Sequence, residues 1–303
     1  MKLVFKNSGL PIRVENLVKI YKKGAYEVQA LRGVNLEVGP GEVIAIMGPS
    51  GSGKTTLLNL IGGIDRPTGG KITVGDVTVT WLAEHQLGEY RLKYIGYVFQ
   101  TFNLVPQLTA LENVEIPLIA AGMPRSDRRK RAQWLLEELG LGGRAHHRPV
   151  EMSGGEQQRV AIAVALANDP PIILADEPTA ELDWENARKI TDLLVGLAEE
   201  HGKTVIIATH DPRVAMRTHR IIRLEDGRLR GTYRPLDLTE KPMAGSLADA
   251  VKARLGALDA ELEELERKYR SGRISLSELI TEYSRIQRTR EALEDLLSSL
   301  GSH

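Results

Sequence analysis

One stretch of the chain limits its fold more than any other, the run Gly48-Pro49-Ser50-Gly51-Ser52-Gly53-Lys54-Thr55-Thr56. It fits the pattern G-x-x-x-x-G-K-[ST], follows the strand-like segment Glu42–Met47 and precedes the helical segment Leu57–Gly62. Its glycines let backbone N–H groups turn inward around phosphate oxygens, and the following helix adds its positive end. Lys54 would then reach the β- and γ-phosphates of a nucleotide, and the Thr55 hydroxyl would bind Mg²⁺. A chance glycine-rich turn is the alternative, and this strand–helix context disfavours it.

The overall composition excludes several other classes of protein. The 303 residues include 40 Lys and Arg against 40 Asp and Glu, so the formal net charge is zero, which argues against a protein that coats nucleic acid. The absence of cysteine rules out a disulfide scaffold, a thiolate zinc site and a cysteine nucleophile. No apolar run approaches the ~20 residues of a membrane span, and Met1 to Leu10 shows no signal peptide. We therefore expect a soluble, cytoplasmic protein that does not insert into the membrane.

Two uninterrupted apolar runs predict the core of the fold. They are Ile172–Ala175 and Val205–Ala208, and runs of this kind suit parallel strands that are covered on both faces. Strands of this type alternate with helical periods along the chain, which indicates an α/β fold.

The first of these runs ends in two carboxylates, Asp176 and Glu177. The ends of parallel strands are where α/β sheets place their ligands. Asp176 would hold the Mg²⁺ shell, and Glu177 would polarise a water for attack on the γ-phosphate. An acidic turn that only caps a helix is the alternative, and the phosphate-binding loop beside it makes that alternative less favourable.

A second anion-binding turn is predicted at Ser153-Gly154-Gly155-Glu156-Gln157-Gln158-Arg159, which we call the signature segment. One nucleotide does not need two such turns from one chain, but two copies facing each other head to tail would use both. At this point the sequence resembles the ABC ATPases, whose signature is L-S-G-G-Q, and the resemblance covers about residues 11–230.

The resemblance implies the rest of the architecture and the reaction. The expected fold is an α/β P-loop NTPase of the ABC ATPase type, with an antiparallel β subdomain, a RecA-like core and a helical subdomain near residues 101–165. We expect the ATP-binding domain to span residues 11–235 and to hydrolyse ATP to ADP and phosphate, with Mg²⁺ as cofactor. Two ATP molecules would lie at the seam of a head-to-tail dimer of this chain.

The resemblance also assigns roles to single residues. Tyr21 looks like the aromatic that stacks on adenine, and Gln100 like the residue that senses Mg²⁺ and the attacking water. Asp183 looks like the aspartate at the dimer seam, and His210 like the histidine that orients the γ-phosphate and water. Each has a structural alternative: packing on the β subdomain for Tyr21, a turn for Gln100, a helix cap for Asp183 and a purely structural histidine for His210.

Within the signature segment, Ser153 and Gly155 look like the pair that grips the γ-phosphate of the partner's ATP. A simple helix N-cap is the alternative for Ser153, since serine begins helices well. The sequence departs from the family pattern at Met152, Glu156, Glu181 and Val164, the last of which stands where relatives often carry Arg. None of these departures removes a group that hydrolysis needs, so we still expect an active ATPase.

Further stretches narrow the match to one branch of the family. They include Gly62-Gly63-Ile64-Asp65-Arg66-Pro67-Thr68 and Phe102-Asn103-Leu104-Val105-Pro106, and they resemble lipoprotein-release, macrolide-export and FtsE-like ATPases. In that branch a separate transmembrane permease is usual, which would hold this chain at the cytoplasmic face of the membrane. Segment 102–117 would meet the permease, through Leu104, Val105 and Leu108 unless these only pack locally.

Two alternatives to transport remain open. One is an FtsE-like ATPase that transmits mechanical force to regulate an envelope process. The other is a soluble coiled-coil ATPase that acts on DNA, but such proteins insert their coil between the phosphate loop and the signature, and the zero net charge disfavours DNA.

The last part of the chain lies outside the resemblance. Apolar residues recur at near-heptad spacing from Leu247 to Tyr269 and again from Leu276 to Leu300. Ser271-Gly272-Arg273 separates the two stripes, and Ser275 with Glu278 makes a capping box. We expect a linker at 236–245 and an antiparallel helical hairpin or coiled coil at 246–300, which serves either as a dimerisation or docking element or as an appended stabilising hairpin.

Overall fold

The computed structural model describes residues 7–23, residues 26–235 and scattered positions between 251 and 297. The chain divides into two compact units, 1–232 and 233–303. Among the described residues, no helix combines the length and the apolar character that a bilayer crossing requires.

A six-stranded sheet forms the centre of the first unit, with the strand order β10-β9-β3-β8-β7-β6. The five strands from β9 through β3, β8 and β7 to β6 run parallel to one another. β10 follows β9 after the two-residue turn Asp226-Gly227. The six strands are β3 (Val43–Met47), β6 (Ile95–Val98), β7 (Ile172–Asp176), β8 (Thr204–Thr209), β9 (Arg220–Glu225) and β10 (Arg228–Tyr233).

A smaller sheet of four antiparallel strands has the order β2-β1-β4-β5. Its strands are β1 (Ile12–Lys23), β2 (Tyr26–Val38), β4 (Gly69–Val74) and β5 (Val77–Thr78). The helices of the first unit are α1 (Lys54–Ile61), α2 (Glu84–Tyr94), α3 (Ala110–Ala120), α4 (Arg125–Glu138), α5 (Gly154–Leu166), α6 (Trp184–Glu199) and α7 (Pro212–Ala215). The predicted α/β fold with an antiparallel β subdomain is therefore confirmed.

The central strands are buried on both faces, as their continuous apolar runs predict. In β8, Val205 and Ile207 pack into a core with α3, α4, α5 and α6. Ile206 and Ala208 point the other way, into a core with α1 and the four-stranded sheet. This alternation fixes the register of the strands, because a slip of one residue would exchange the two sets.

In the second unit, the described positions between 251 and 269 and between 278 and 297 are helical. The predicted capping box is present: the Ser275 N–H donates to Glu278 Oε2 at 2.8 Å, and the Glu278 N–H donates to Ser275 Oγ at 3.3 Å. Arg290 Nε lies 3.3 Å from Asp259 Oδ1, which joins the two predicted arms. The predicted linker 236–245 and the stop Ser271-Gly272-Arg273 lie outside the described residues.

The turn between β9 and β10 is built around Gly227, which has φ +71°. A Cβ at this position would lie 2.6 Å from the Ala30 carbonyl oxygen. Gly202 has a similar φ of +64°, but a Cβ there would meet no atom within 4 Å.

We expect Gly227→Ala to destabilise the protein by about 3 kcal/mol or more, because it adds a steric clash to the left-handed backbone cost. Gly202→Ala, the matched control, should cost only about 1–2 kcal/mol. Urea denaturation of both variants measures the difference, and equal losses would contradict the close contact between the turn and β2.

Candidate functional site

The phosphate-binding loop lies between β3 and α1, and its backbone requires glycine at two positions. Gly51 and Gly53 have φ values of +77° and +105°. A Cβ on Gly53 would lie 2.7 Å from the Ala30 carbonyl oxygen. Lys54 begins α1 and is buried, and its ammonium donates to the Gly48 and Pro49 carbonyls at 2.7 and 3.1 Å. The loop therefore wraps around the lysine ammonium.

A cavity of about 780 Å³, which we call the phosphate-loop cavity, opens beside this loop. The carboxyl ends of the parallel strands place Gln100, Glu177 and His210 at its wall, although they come from distant parts of the sequence. The predicted site residues that line it are Pro49, Ser50, Gly51, Gly53, Lys54, Thr55, Thr56, Gln100, Glu177 and His210. Gly48 and Ser52 lie in the loop behind the lining, where a Cβ on Gly48 would be 2.0 Å from the Leu224 carbonyl oxygen.

The Glu177 carboxylate lies between the Lys54 ammonium and the His210 imidazole. Its Oε1 lies 3.7 Å from Lys54 Nζ, and its Oε2 lies 2.9 Å from His210 Nδ1. Its backbone has φ +46°, and its N–H donates to the Ala208 carbonyl at 2.8 Å. The left-handed backbone is unusual for this residue type and is held by the neighbouring strand. The carboxylate is thus fixed at the cavity wall, where it can accept a proton.

Asp176 ends β7 and is buried, and its Oδ1 has no hydrogen-bond partner among the described residues. Burial raises the pKa of Asp176, and a hydrogen bond with Thr55 opposes that shift. The Asp176 carboxylate, the Thr55 hydroxyl and the amide of Gln100, which lines the same cavity as Thr55, are the hard oxygen donors that Mg²⁺ prefers. The unpaired carboxylate oxygen makes this donor set suitable for that ion.

Because the pKa of Asp176 is raised in the folded protein, its ionised form opposes folding at neutral pH. That cost disappears as the pH falls below the ordinary carboxyl pKa of about 4. We expect Asp176→Asn to raise Tm at pH 7, and the gain to shrink as the pH approaches 4.

Thermal unfolding between pH 4 and pH 8 measures this effect, with the exposed Asp76→Asn as control. ATP and Mg²⁺ should raise the Tm of the wild type more than that of Asp176→Asn, because the variant lacks the carboxylate that is predicted to bind Mg²⁺. An unchanged or lower Tm for Asp176→Asn at pH 7 would contradict the buried, unpaired carboxylate.

The signature segment does not line the phosphate-loop cavity of its own chain. Ser153 is exposed and caps α5: its Oγ accepts from the Glu156 N–H at 3.3 Å, and its N–H donates to Glu156 Oε2 at 2.8 Å. The other Glu156 oxygen lies 3.0 Å from Arg144 Nε. The Ser153 N–H and Arg144 lower the pKa of Glu156. Glu156, which replaces the family's Gln, is therefore stabilised within the chain by a capping box with Ser153 and an ion pair with Arg144.

Asp183 also caps a helix, since it accepts hydrogen bonds from the Asn186 N–H at 3.0 Å and from the Asn186 side chain at 2.6 Å. Gly155 lies against the same asparagine, because a Cβ on Gly155 would be 2.8 Å from Asn186 Oδ1. The start of α5 and the start of α6 are thus in contact, and neither Asp183 nor Gly155 lines the cavity.

Tyr21 lies near α1 but does not line the cavity. Its hydroxyl donates to Asp65 Oδ2 at 2.8 Å, and Lys19 Nζ lies 4.7 Å from the ring centroid. Partial burial and the bond to Asp65 raise the pKa of the Tyr21 hydroxyl, while Lys19 and Tyr21 lower the pKa of Asp65. These contacts fix the orientation of the ring.

One wall of the cavity is not predicted by the sequence. Arg32, Asp226 and Gly227 help to form it. The Arg32 N–H donates to the Gly227 carbonyl at 2.8 Å, and the Gly227 N–H donates to the Ser52 carbonyl at 3.1 Å. The Asp-Gly pair predicts a tight turn between two strands. Nothing local in the sequence indicates that this turn binds the phosphate loop.

Comparison with known proteins identifies the family to which the chain belongs. Residues 31–180 match the ABC transporter family. The chain is 52% identical over 220 residues to the uncharacterised ABC transporter ATP-binding protein MJ0796 of Methanocaldococcus jannaschii, covering 71% of this chain and 94% of that protein. It is 44% identical over 225 residues to the lipoprotein-releasing system ATP-binding protein LolD of Chromohalobacter salexigens, covering 74% and 95%.

The macrolide export ATP-binding/permease protein MacB of Brucella melitensis is 43% identical over 270 residues, which cover 84% of this chain and 42% of MacB. A dimeric structure of the MJ0796 cassette in a post-hydrolysis state, bound to ADP and Pi, aligns with TM-score 0.70 and 49% identity, covering 74% of this chain and 98% of that one. The chain belongs to the ABC transporter ATP-binding proteins and is an ATPase of that family. The predicted branch, with lipoprotein-release and macrolide-export relatives, is confirmed.

Proposed function

We propose that this ATPase uses Glu177 as the group that polarises the attacking water. The observation that carries the proposal is the position of its carboxylate, between Lys54 and His210 at the wall of the phosphate-loop cavity. A water beside Glu177 would pass a proton to the carboxylate while its oxygen attacks the γ-phosphorus, and the bond from that phosphorus to the β,γ-bridging oxygen would break to release ADP. Lys54 would stabilise the charge on the phosphate oxygens, and Gln100 and His210 would orient the water and the γ-phosphate.

We infer that Thr55, Gln100 and Asp176 hold Mg²⁺. Support comes from the oxygen donors of these side chains and from the unpaired, buried Oδ1 of Asp176. When bound, the ion neutralises charge on the β- and γ-phosphate oxygens. We assign adenine stacking to Tyr21, whose ring is oriented by Asp65 and Lys19.

A second copy of the chain would complete each site, with Ser153, Gly155 and Asp183 placed at the seam of a head-to-tail dimer. Two observations support this proposal. These residues lie outside the cavity of their own chain, and the α5 N-terminus they flank is suited to binding phosphate. The related MJ0796 cassette is dimeric in its ADP- and Pi-bound structure.

We expect Glu177→Gln to lower kcat by at least about 10²-fold, because the amide cannot accept the proton. The variant should retain ATP binding and accumulate as an ATP-bound dimer. Phosphate release and light scattering with ATP measure the two effects. Glu137→Gln, an exposed change on α4, is the control and should match the wild type. A Glu177→Gln protein that stays monomeric with ATP, or that turns over normally, would contradict the assignment.

We further propose that ATP turnover drives a separate transmembrane permease of the macrolide- or lipoprotein-export type, which holds the chain at the cytoplasmic face of the membrane. The relatives LolD and MacB support the export type. An apolar groove of about 390 Å³ between α2, α3 and α5 supplies a surface for the contact. Pro117, Ala120 and Val164 are among its lining residues.

One of the departures from the family pattern lies in this groove. Val164 lines it at a position where relatives often carry the longer Arg, so this chain presents an apolar wall there. In the predicted contact segment, Leu104 packs partly into the core, whereas Val105 is exposed. Ile116 and Ile119 on α3 are exposed as well. The apolar surface next to the groove is therefore contributed largely by α3.

Affinity capture of the tagged chain from detergent-solubilised native membranes tests the permease proposal. We expect a multi-span protein to be captured by the wild type and lost with Ala120→Glu, which places a charge in the groove. Ala121→Glu, on the neighbouring exposed residue outside the groove, is the matched control and should retain it. Capture of only soluble proteins or DNA would contradict the permease and favour the coiled-coil ATPase alternative.

A further inference from the structure

An exposed tryptophan stands at the start of α6, next to the predicted seam. Trp184 follows the cap Asp183, and 44% of its surface is exposed. Its ring lies under the Arg213 guanidinium, whose central carbon is 4.2 Å from the ring centroid. Stacking of this kind holds an arginine in one orientation, because the guanidinium is planar and attracted to the ring face.

Arg213 is in turn held by Asp211. Its Nε lies 3.1 and 3.2 Å from the two carboxylate oxygens, and its Nη2 lies 2.9 Å from Oδ2. Asp211 directly follows His210, and its N–H donates to Thr209 Oγ1 at 3.0 Å. The segment that carries His210 is therefore clamped from one side by the guanidinium that stacks on Trp184.

The same tryptophan belongs to the element that touches the signature segment. Asn186, in the first turn of α6, lies against Gly155 at the start of α5. A continuous series of contacts therefore links the start of α5 to the start of α6, and Trp184 on α6 to Arg213. Arg213 binds Asp211, and the adjacent His210 contacts Glu177. A displacement of the signature segment would reach the hydrolytic pair by this route.

We propose that Trp184 is a positioning residue for hydrolysis, which acts through Arg213 and Asp211 to hold His210 against Glu177. The proposal rests on the function assigned above to Glu177 and His210. Trp184 itself does not line the phosphate-loop cavity, so it should affect the rate of the chemical step and not the binding of ATP.

The test is the steady-state ATPase kinetics of the full chain. We expect Trp184→Ala to lower kcat on the order of 10-fold with KM unchanged, because a small misplacement of a catalytic group slows the chemistry strongly. Trp184→Phe keeps an aromatic face and should restore most of the rate. Trp81→Ala is the matched control, since Trp81 is an exposed tryptophan beside Lys71 in the β subdomain and should leave both parameters unchanged.

A double-mutant cycle separates positioning from general damage. Arg213→Ala should be at least as slow as Trp184→Ala, because it removes the contacts with Asp211 as well as the stack. The double variant should be no slower than Arg213→Ala, because Trp184 acts only through Arg213. Additive losses, a change in KM with kcat unchanged, or a Trp184→Ala protein that behaves like Trp81→Ala would overturn the proposal. A wild-type chain that does not hydrolyse ATP would instead contradict the function proposed above.

Discussion

The parallel register of β3, β8 and β7 determines where the phosphate loop, Glu177 and His210 lie. Ala208 in β8 is level with Ile46 in β3 and with Asp176 in β7. The three strands therefore end at the same edge of the sheet, within one or two residues of each other. The phosphate loop, Glu177 and His210 begin there, which is why residues far apart in sequence line one cavity.

Burial of the strands on both faces makes this register costly to change. Residues of β8 alternate between two apolar cores, so a slip of one position would move every buried side chain to the wrong layer. A few specific hydrogen bonds then hold the loops of the site in place. Examples are the Glu177 N–H on the Ala208 carbonyl and the Gly227 N–H on the Ser52 carbonyl.

The sequence predicts those parts of the site that lie within a single loop or at the end of a single strand. The glycine pattern before Lys54 and the carboxylates Asp176 and Glu177 at the end of β7 carry their chemistry in consecutive residues, and the structure brings the loop and Glu177 to one cavity. The Asp226-Gly227 wall and the Trp184–Arg213 stack join segments that are distant in sequence, so no local pattern predicts them. The roles of Ser153 and Gly155 remain a prediction, since they concern a second copy of the chain.

The dimer proposal explains why a chain with one phosphate loop also carries a second turn, at Ser153, that is predicted to bind phosphate. Ser153 is exposed, and its capping box with Glu156 holds the turn at the start of α5 through hydrogen bonds within the chain. Preformed donors stabilise charge without the cost of reorganisation when the substrate arrives. Closure of two copies around ATP would bring this turn to the phosphates that the other copy holds.

Cysteine cross-linking tests this arrangement most directly, because the natural sequence contains no cysteine. Two separately tagged variants, Ser50→Cys in the phosphate loop and Ser153→Cys in the signature segment, are mixed with a short thiol cross-linker and a slowly hydrolysed ATP analogue. The account predicts a nucleotide-dependent dimer that contains both tags and little linkage between like variants. Linkage that ignores the nucleotide, or that joins like variants equally well, would contradict the head-to-tail site.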